Sequence, residues 1–173
     1  MVPAADAQLA VLEALLTWAA EERAAGLLTA ALGCTAMLAA VALWLGWARP
    51  WAVGAAVPLA LFGLVDAAVG GHTWLSASRD LEAFPAWVRE APHLVGDDVG
   101  PRLERRIETA NTLTVVLLLA AGAGVALTTR GGRWRGAGVA LLVVCAVDGA
   151  LERRSATRAR DTLTVLGATK LPA

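Results

Sequence analysis

The sequence predicts an all-α integral membrane protein, a bundle of four transmembrane helices, and three observations predict it. The chain is 57% AVILMFWYC and its mean hydropathy is +0.59, well above an ordinary soluble domain. Four apolar stretches, 24–46, 51–71, 110–129 and 134–151, are long enough, or nearly so, to cross a hydrocarbon core of roughly 30 Å. Alanine and leucine dominate them without period-two alternation, which excludes an all-β membrane protein. With 173 residues there is room for a single membrane domain.

Residues 5–22 read as an N-terminal amphipathic helix. Leu9, Leu12, Leu15, Leu16 and Ala19 make a stripe at spacings of three and four, opposite Asp6, Gln8 and Glu13. Helices that bind anionic lipid at an interface are usually basic. This one is acidic, so its stripe is expected to pack against the rest of the protein. With acids in place of a basic leader, the first span is expected to serve as its own uncleaved targeting signal.

The span at 24–46 is rich in Gly, Ala and Thr, which let helices approach closely in lipid. Trp44, Trp47 and Trp51 surround a turn at Ala48-Arg49-Pro50, and tryptophan prefers the headgroup level. Spans 24–46 and 51–71 are therefore expected to form an antiparallel hairpin. The second span overruns the bilayer through His72, Ser76 and Arg79, and Gly70-Gly71 offers a point for a kink. Residues 80–101, with Pro85, Pro92, Gly96 and Pro101 as breakers, read as a long interfacial loop. Spans 110–129 and 134–151 meet at a second short turn anchored by Trp134. A polar tail, 152–173, continues the last helix to about Leu166-Gly167.

The chain also resembles itself. Gly54–Ala68 and Gly136–Ala150 align at a shift of 82, matching at Gly54/Gly136, Leu59/Leu141, Val65/Val147 and Asp66/Asp148. Glu22-Arg23 falls on Glu104-Arg105 at the same shift. The reading is two repeated helical hairpins, related by an axis along the membrane normal. Eleven Lys and Arg lie in the termini and the long connection, against four in the two short turns. This bias places the termini and the 80–101 loop in the cytoplasm of a cell with an inner membrane.

Asp66 and Asp148 each lie about 21–22 Å along the helix from an interfacial tryptophan. With His72 and Glu152 they form a candidate intramembrane polar site. Charge partners would be Arg23, Arg105, Arg106 and Arg153, with Glu22, Glu108 and Asn111 entering from the same side and Ser155 near the face that Asp148 and Glu152 share. Intramembrane carboxylates mark ion or proton sites by default; the competing reading is an arginine-paired lock that holds the bundle.

Zero net charge argues against nucleic acid. Cys34 and Cys145 have no CxxC or Cys/His ligand spacing, so inert buried thiols are expected, and no cofactor. Of the two histidines, His93 falls in the 80–101 connection and only His72 lies near a span, which excludes a paired-histidine haem within the bundle. Whether a carboxylate-rich metal site forms at Asp66, His72, Asp148 and Glu152 stays open. No GxSxG, HExxH or P-loop motif is present, so catalysis finds little support. The sequence favours a non-catalytic accessory or assembly component of a membrane complex, partnered by lipid and by other membrane subunits or itself. The alternative is a transporter or channel for protons, ions or small polar solutes that uses Asp66 and Asp148. A membrane redox component stands third.

Overall fold

The computed structural model describes residues 4–46, 49–91 and 95–168; Trp47, Pro92, His93 and Lys170 lie outside them. The chain is all-helical: α1 (Ala4–Gly46), α2 (Pro50–Glu90), α3 (Gly100–Thr128) and α4 (Arg133–Ala168), with one π-helical turn at Val95–Val99. All four helices are long and apolar enough to cross a membrane.

They are also longer than a crossing requires. At 43 residues, α1 runs for about 64 Å, roughly twice the hydrocarbon thickness. Each helix is thus long enough for a bilayer-length segment and a segment beyond it, here termed its membrane and projecting halves, and the two pack by different rules.

The projecting halves share an aqueous-type core. Val11, Leu15 and Ala19 of α1 meet Phe84 and Val88 of α2, Val95 and Val99 of the π turn, Leu103 of α3 and Ala159 of α4. Since this one cluster draws on the start of α1, the end of α2, the start of α3 and the end of α4, those four ends lie together. The largest fully buried side chains of the described residues, Phe84, Leu15, Leu103, Val11, Val95 and Val99, are all here. Phe84 stacks on Trp18 at 6.2 Å and meets Trp87 edge-on at 5.7 Å. Arg102 closes this end, 2.6 Å from Asp98, 3.5 Å from Asp80 and over the Trp87 ring at 5.9 Å.

This core corrects two sequence expectations. Residues 80–90 are helical, not an interfacial loop. Pro85 removes one backbone donor but fixes a helical φ, while Phe84 and Val88 on the same face are anchored in the core. The 5–22 segment is the first half of one continuous helix, and its buried stripe is Val11, Leu15, Ala19 and Glu22, with Leu12 and Leu16 partly buried beside it. Leu9 faces outward, 64% exposed. The helical assignment of α2 runs through Gly70-Gly71 and on to Glu90, where the sequence suggests a loop; Gly70 serves close approach, because a Cβ there would crowd the Gly26 carbonyl and the Ala30 backbone of α1.

The membrane halves pack through small residues and leave large ones outside. Leu118 and Leu119 of α3 are 67% and 71% exposed, and Leu38, Leu45 and Leu61 are similarly bare. Exposed apolar surface on this scale fits a lipid environment. Cys34 faces outward there, contrary to the buried thiol expected, whereas Cys145 is buried. α1 packs along α2 and α3 along α4, and the two pairs join chiefly where α2 meets α4. The second turn closes at Gly132, whose φ of 64° suits glycine.

The α2–α4 junction has a reciprocal form. A Cβ on Gly54 would collide with the Arg133 carbonyl, and a Cβ on Gly136 would collide with the Trp51 carbonyl. A shift of 82 carries Gly54 onto Gly136 and Trp51 onto Arg133, so each contact is the image of the other. The backbones touch at this end, and neither glycine tolerates a side chain.

Candidate functional site

The site is a polar seam through the inside of the bundle, at the border between its membrane and projecting halves. Its most buried member is Glu22, 5% exposed. Glu22 continues the buried stripe of α1 because it follows Val11, Leu15 and Ala19 at helical spacings of four, four and three. Its Oε1 accepts a 2.5 Å hydrogen bond from the Ser155 hydroxyl of α4. Ser155 Oγ in turn accepts from Nε of Arg106, on α3, at 3.1 Å. Arg106 Nη1 lies 3.2 Å from Glu152 Oε2. That last contact is an ion pair without hydrogen-bond geometry, since Oε2 is buried and has no aligned donor.

Ser155 thus carries two bonds at once, and links the Arg106 guanidinium, paired with Glu152, to the Glu22 carboxyl. The group borders a small cavity of about 30 Å³ to which all four helices contribute, including Gly26 and Thr29 of α1 and Gly70 and Thr73 of α2. A cavity of that size accommodates a water molecule.

Asp148 stands one helical turn from Glu152 on the same face of α4. The charges of Asp66 and Glu152 both bear on it, so the two aspartates face a common region across the α2–α4 seam. Asp66 borders α1 as well, where its Cβ lies beside Gly33. Both aspartates are half-buried, and neither has a hydrogen-bond or ion-pair partner among the described residues.

Of the predicted charge partners, only Arg106 joins the site, and it pairs with Glu152. The side chains of Arg23, Arg105 and Arg153 are exposed and hold no ion pair among the described residues. Asn111 is exposed and accepts from Arg160 at 3.3 Å; Glu108 is exposed. His72 is exposed too, turned away from the carboxyls. The helical wheel anticipates this, since six residues separate it from Asp66 and put the two about 120° apart. No three His, Cys, Asp or Glu side chains converge as a metal site among the described residues.

Two members of the seam, Glu22 and Ser155, are placed by the sequence at this level and near this face, but not among the site residues. Ser155 lies seven residues after Asp148, two turns along the same face. For Glu22 the signal was its place at the end of a buried stripe, which its charge and its neighbours Glu21 and Arg23 obscured.

No family model, curated protein or solved structure matches this chain. The site therefore speaks through its own chemistry. Of the four carboxyls Glu22, Asp66, Asp148 and Glu152, only Glu152 pairs with an arginine, Arg106, among the described residues. A carboxylate without a counter-charge in a poorly hydrated interior is costly. Carboxyls so placed have the chemistry to bind protons or a small cation.

Proposed function

We propose that this chain is a multi-pass membrane protein that binds protons at Asp66 and Asp148 and relays them along its polar seam. The observation that carries the proposal is that neither aspartate has a basic partner. An arginine-paired lock would leave the bundle electrically satisfied; here the arginine of the seam, Arg106, is already engaged by Ser155 and Glu152. The remaining negative charge calls for protons.

In this reading a proton enters at the aqueous end on Glu22 or Glu152, next to the small cavity. It transfers to the Asp148 carboxylate, leaving its donor ionised, and then to Asp66 across the seam. Further outward the close α2–α4 contact at Gly54 and Gly136 blocks the path. Release on the far side requires the two helices to part there, so this conformation is one with the outer end shut.

The orientation belongs to the same proposal: an inner-membrane protein with both termini and the α2–α3 connection cytoplasmic, supported by the bias of Lys and Arg to that end. The two-hairpin repeat is supported by the reciprocal Gly54 and Gly136 contacts. The repeat is imperfect at the polar cluster, where Glu22, Arg106, Glu152 and Ser155 correspond to Glu104, Ala24, Gly70 and Thr73.

The test is proton flux into proteoliposomes carrying an entrapped pH dye. Wild type is expected to dissipate an imposed gradient, and Asp66→Asn and Asp148→Asn to lose this while keeping the helical content and thermal midpoint of wild type. A folded wild type without flux would sink the transport reading.

A second reading, an accessory or assembly component of a membrane complex, is favoured by α3. Its chief helical partner is α4, and Val115, Val116, Leu118 and Leu119 are left bare for lipid or another subunit. Mild-detergent purification from native membranes decides it, by whether defined partners co-purify.

A further inference from the structure

We propose that the groove between α3 and α4, at the membrane border, binds the phosphate of an anionic phospholipid. The groove has a volume of about 380 Å³ and is lined by Asn111 and Thr114 of α3 and by Gly149, Arg153 and Arg160 of α4. It lies outside the proton seam and shares no side chain with it.

Depth is the first argument. Arg153 is 19 residues beyond Trp134, or about 28 Å along the helix, and Arg160 is about 39 Å along it. A hydrocarbon core of roughly 30 Å flanked by headgroup layers, some 40–45 Å in all, puts these two arginines on either side of the phosphate level.

Charge is the second. Arg153 and Arg160 stand seven residues apart on one face of α4. Both are exposed, and Arg153 has no side-chain partner among the described residues. Arg160 is steadied by donating to Asn111 Oδ1 at 3.3 Å, which leaves its other guanidinium N–H groups available. No acidic side chain lines the groove, so nothing within it competes with a phosphate. Basic pockets between transmembrane helices bind anionic headgroups by this chemistry.

Shape is the third. Toward the membrane interior the groove passes Thr114 and Gly149. A Cβ on Gly149 would only just reach Leu117 Cδ1, at 4.0 Å, so the glycine leaves room for the start of an acyl chain. The groove is polar where headgroups lie and open where chains begin.

The test is native mass spectrometry of the full chain, released from mixed micelles of phosphatidylglycerol and phosphatidylcholine. Wild type is expected to retain phosphatidylglycerol selectively. Arg153→Gln and Arg160→Gln should each weaken retention about fivefold, the ratio equivalent to about 1 kcal/mol per basic residue near a charged membrane surface. Gly149→Leu, which fills the groove without changing charge, should weaken it too. Arg23→Gln, an exposed arginine outside the groove, should not. Equal retention by all variants would overturn the proposal, as would an Arg23→Gln loss matching that of Arg153→Gln. A third arm adds soluble glycerol phosphate: displacement of the lipid at millimolar concentration would show a free-phosphate site and overturn the lipid assignment.

Discussion

The Ser155 hydroxyl donates to Glu22 Oε1 across 133 residues of sequence, at 2.5 Å, and ties the end of α4 to the middle of α1. Because Ser155 also accepts from Arg106, a single hydroxyl orders three helices. Ser155→Ala removes both bonds and leaves a buried carboxyl without its donor, which costs about 1–3 kcal/mol. Thermal melts in detergent should register that loss. Thr157→Ala is the reference: its exposed hydroxyl bonds only to the Arg153 carbonyl one turn back, and its midpoint should stay near that of wild type.

Arg106 is the one cation shared by Glu22's network and Glu152. Arg106→Gln would leave Glu152 without its ion-pair partner, at a site where its side chain is 18% exposed. Removing one partner of a well-buried pair costs about 3–5 kcal/mol. The partial exposure here reduces that to about 1–3 kcal/mol by screening. Replacing the exposed Arg105 with Gln should change the midpoint little, and a direct comparison of the two melts checks the assignment.

Gly54 and Gly136 should be equally intolerant of substitution. An alanine at either position puts its Cβ into a backbone carbonyl of the opposite helix, and relief requires α2 and α4 to separate. The expected cost is at the upper end of the ~1–3 kcal/mol seen for overpacking. Gly122→Ala, where a Cβ meets nothing within 4 Å, should be neutral or mildly stabilising. If the seam is also the outer gate, Gly54→Ala and Gly136→Ala should raise proton leak, read in the same proteoliposome assay.

The two halves of the bundle should answer truncation differently. Phe84→Ala empties a position that is 1% exposed in the projecting core, at about 3–5 kcal/mol. Leu118→Ala trims a side chain that already faces lipid, and its effect on the detergent melt should fall within about 0.5 kcal/mol.

Much of this architecture was legible in the sequence because bilayer physics is unforgiving about length and polarity. Four apolar runs became four helices, and Trp44, Trp51 and Trp134 flank the two short turns. The projecting half was harder to read. Pro85 and Pro92 signal a loop to any local rule, and only the tertiary anchoring of Phe84 and Val88 carries α2 past Pro85. The π turn at Val95–Val99 places both valines in the core; their i, i+4 spacing fits a helical face, but Gly96 and Asp97-Asp98 between them read as a loop. At the site, Asp148 and Glu152 were legible as i, i+4 neighbours. Which arginine turned inward was not, because Arg105 and Arg106 differ only by the 100° between successive helical residues. The level of Glu22 was legible but its burial was not: beside Glu21 and Arg23 it looks like solvated surface, and its burial depends on Ser155 arriving from α4.

The central claim is that Asp66 and Asp148 hold protons inside the bundle. Infrared difference spectroscopy of the reconstituted protein, titrated across the pH range in which it stays folded, tests this most directly through the carbonyl stretch of protonated carboxyl groups. The account predicts such a band in wild type, reduced in Asp66→Asn and in Asp148→Asn and smallest in the double variant. A titrating band of the same size and midpoint in wild type and in the double variant would contradict it.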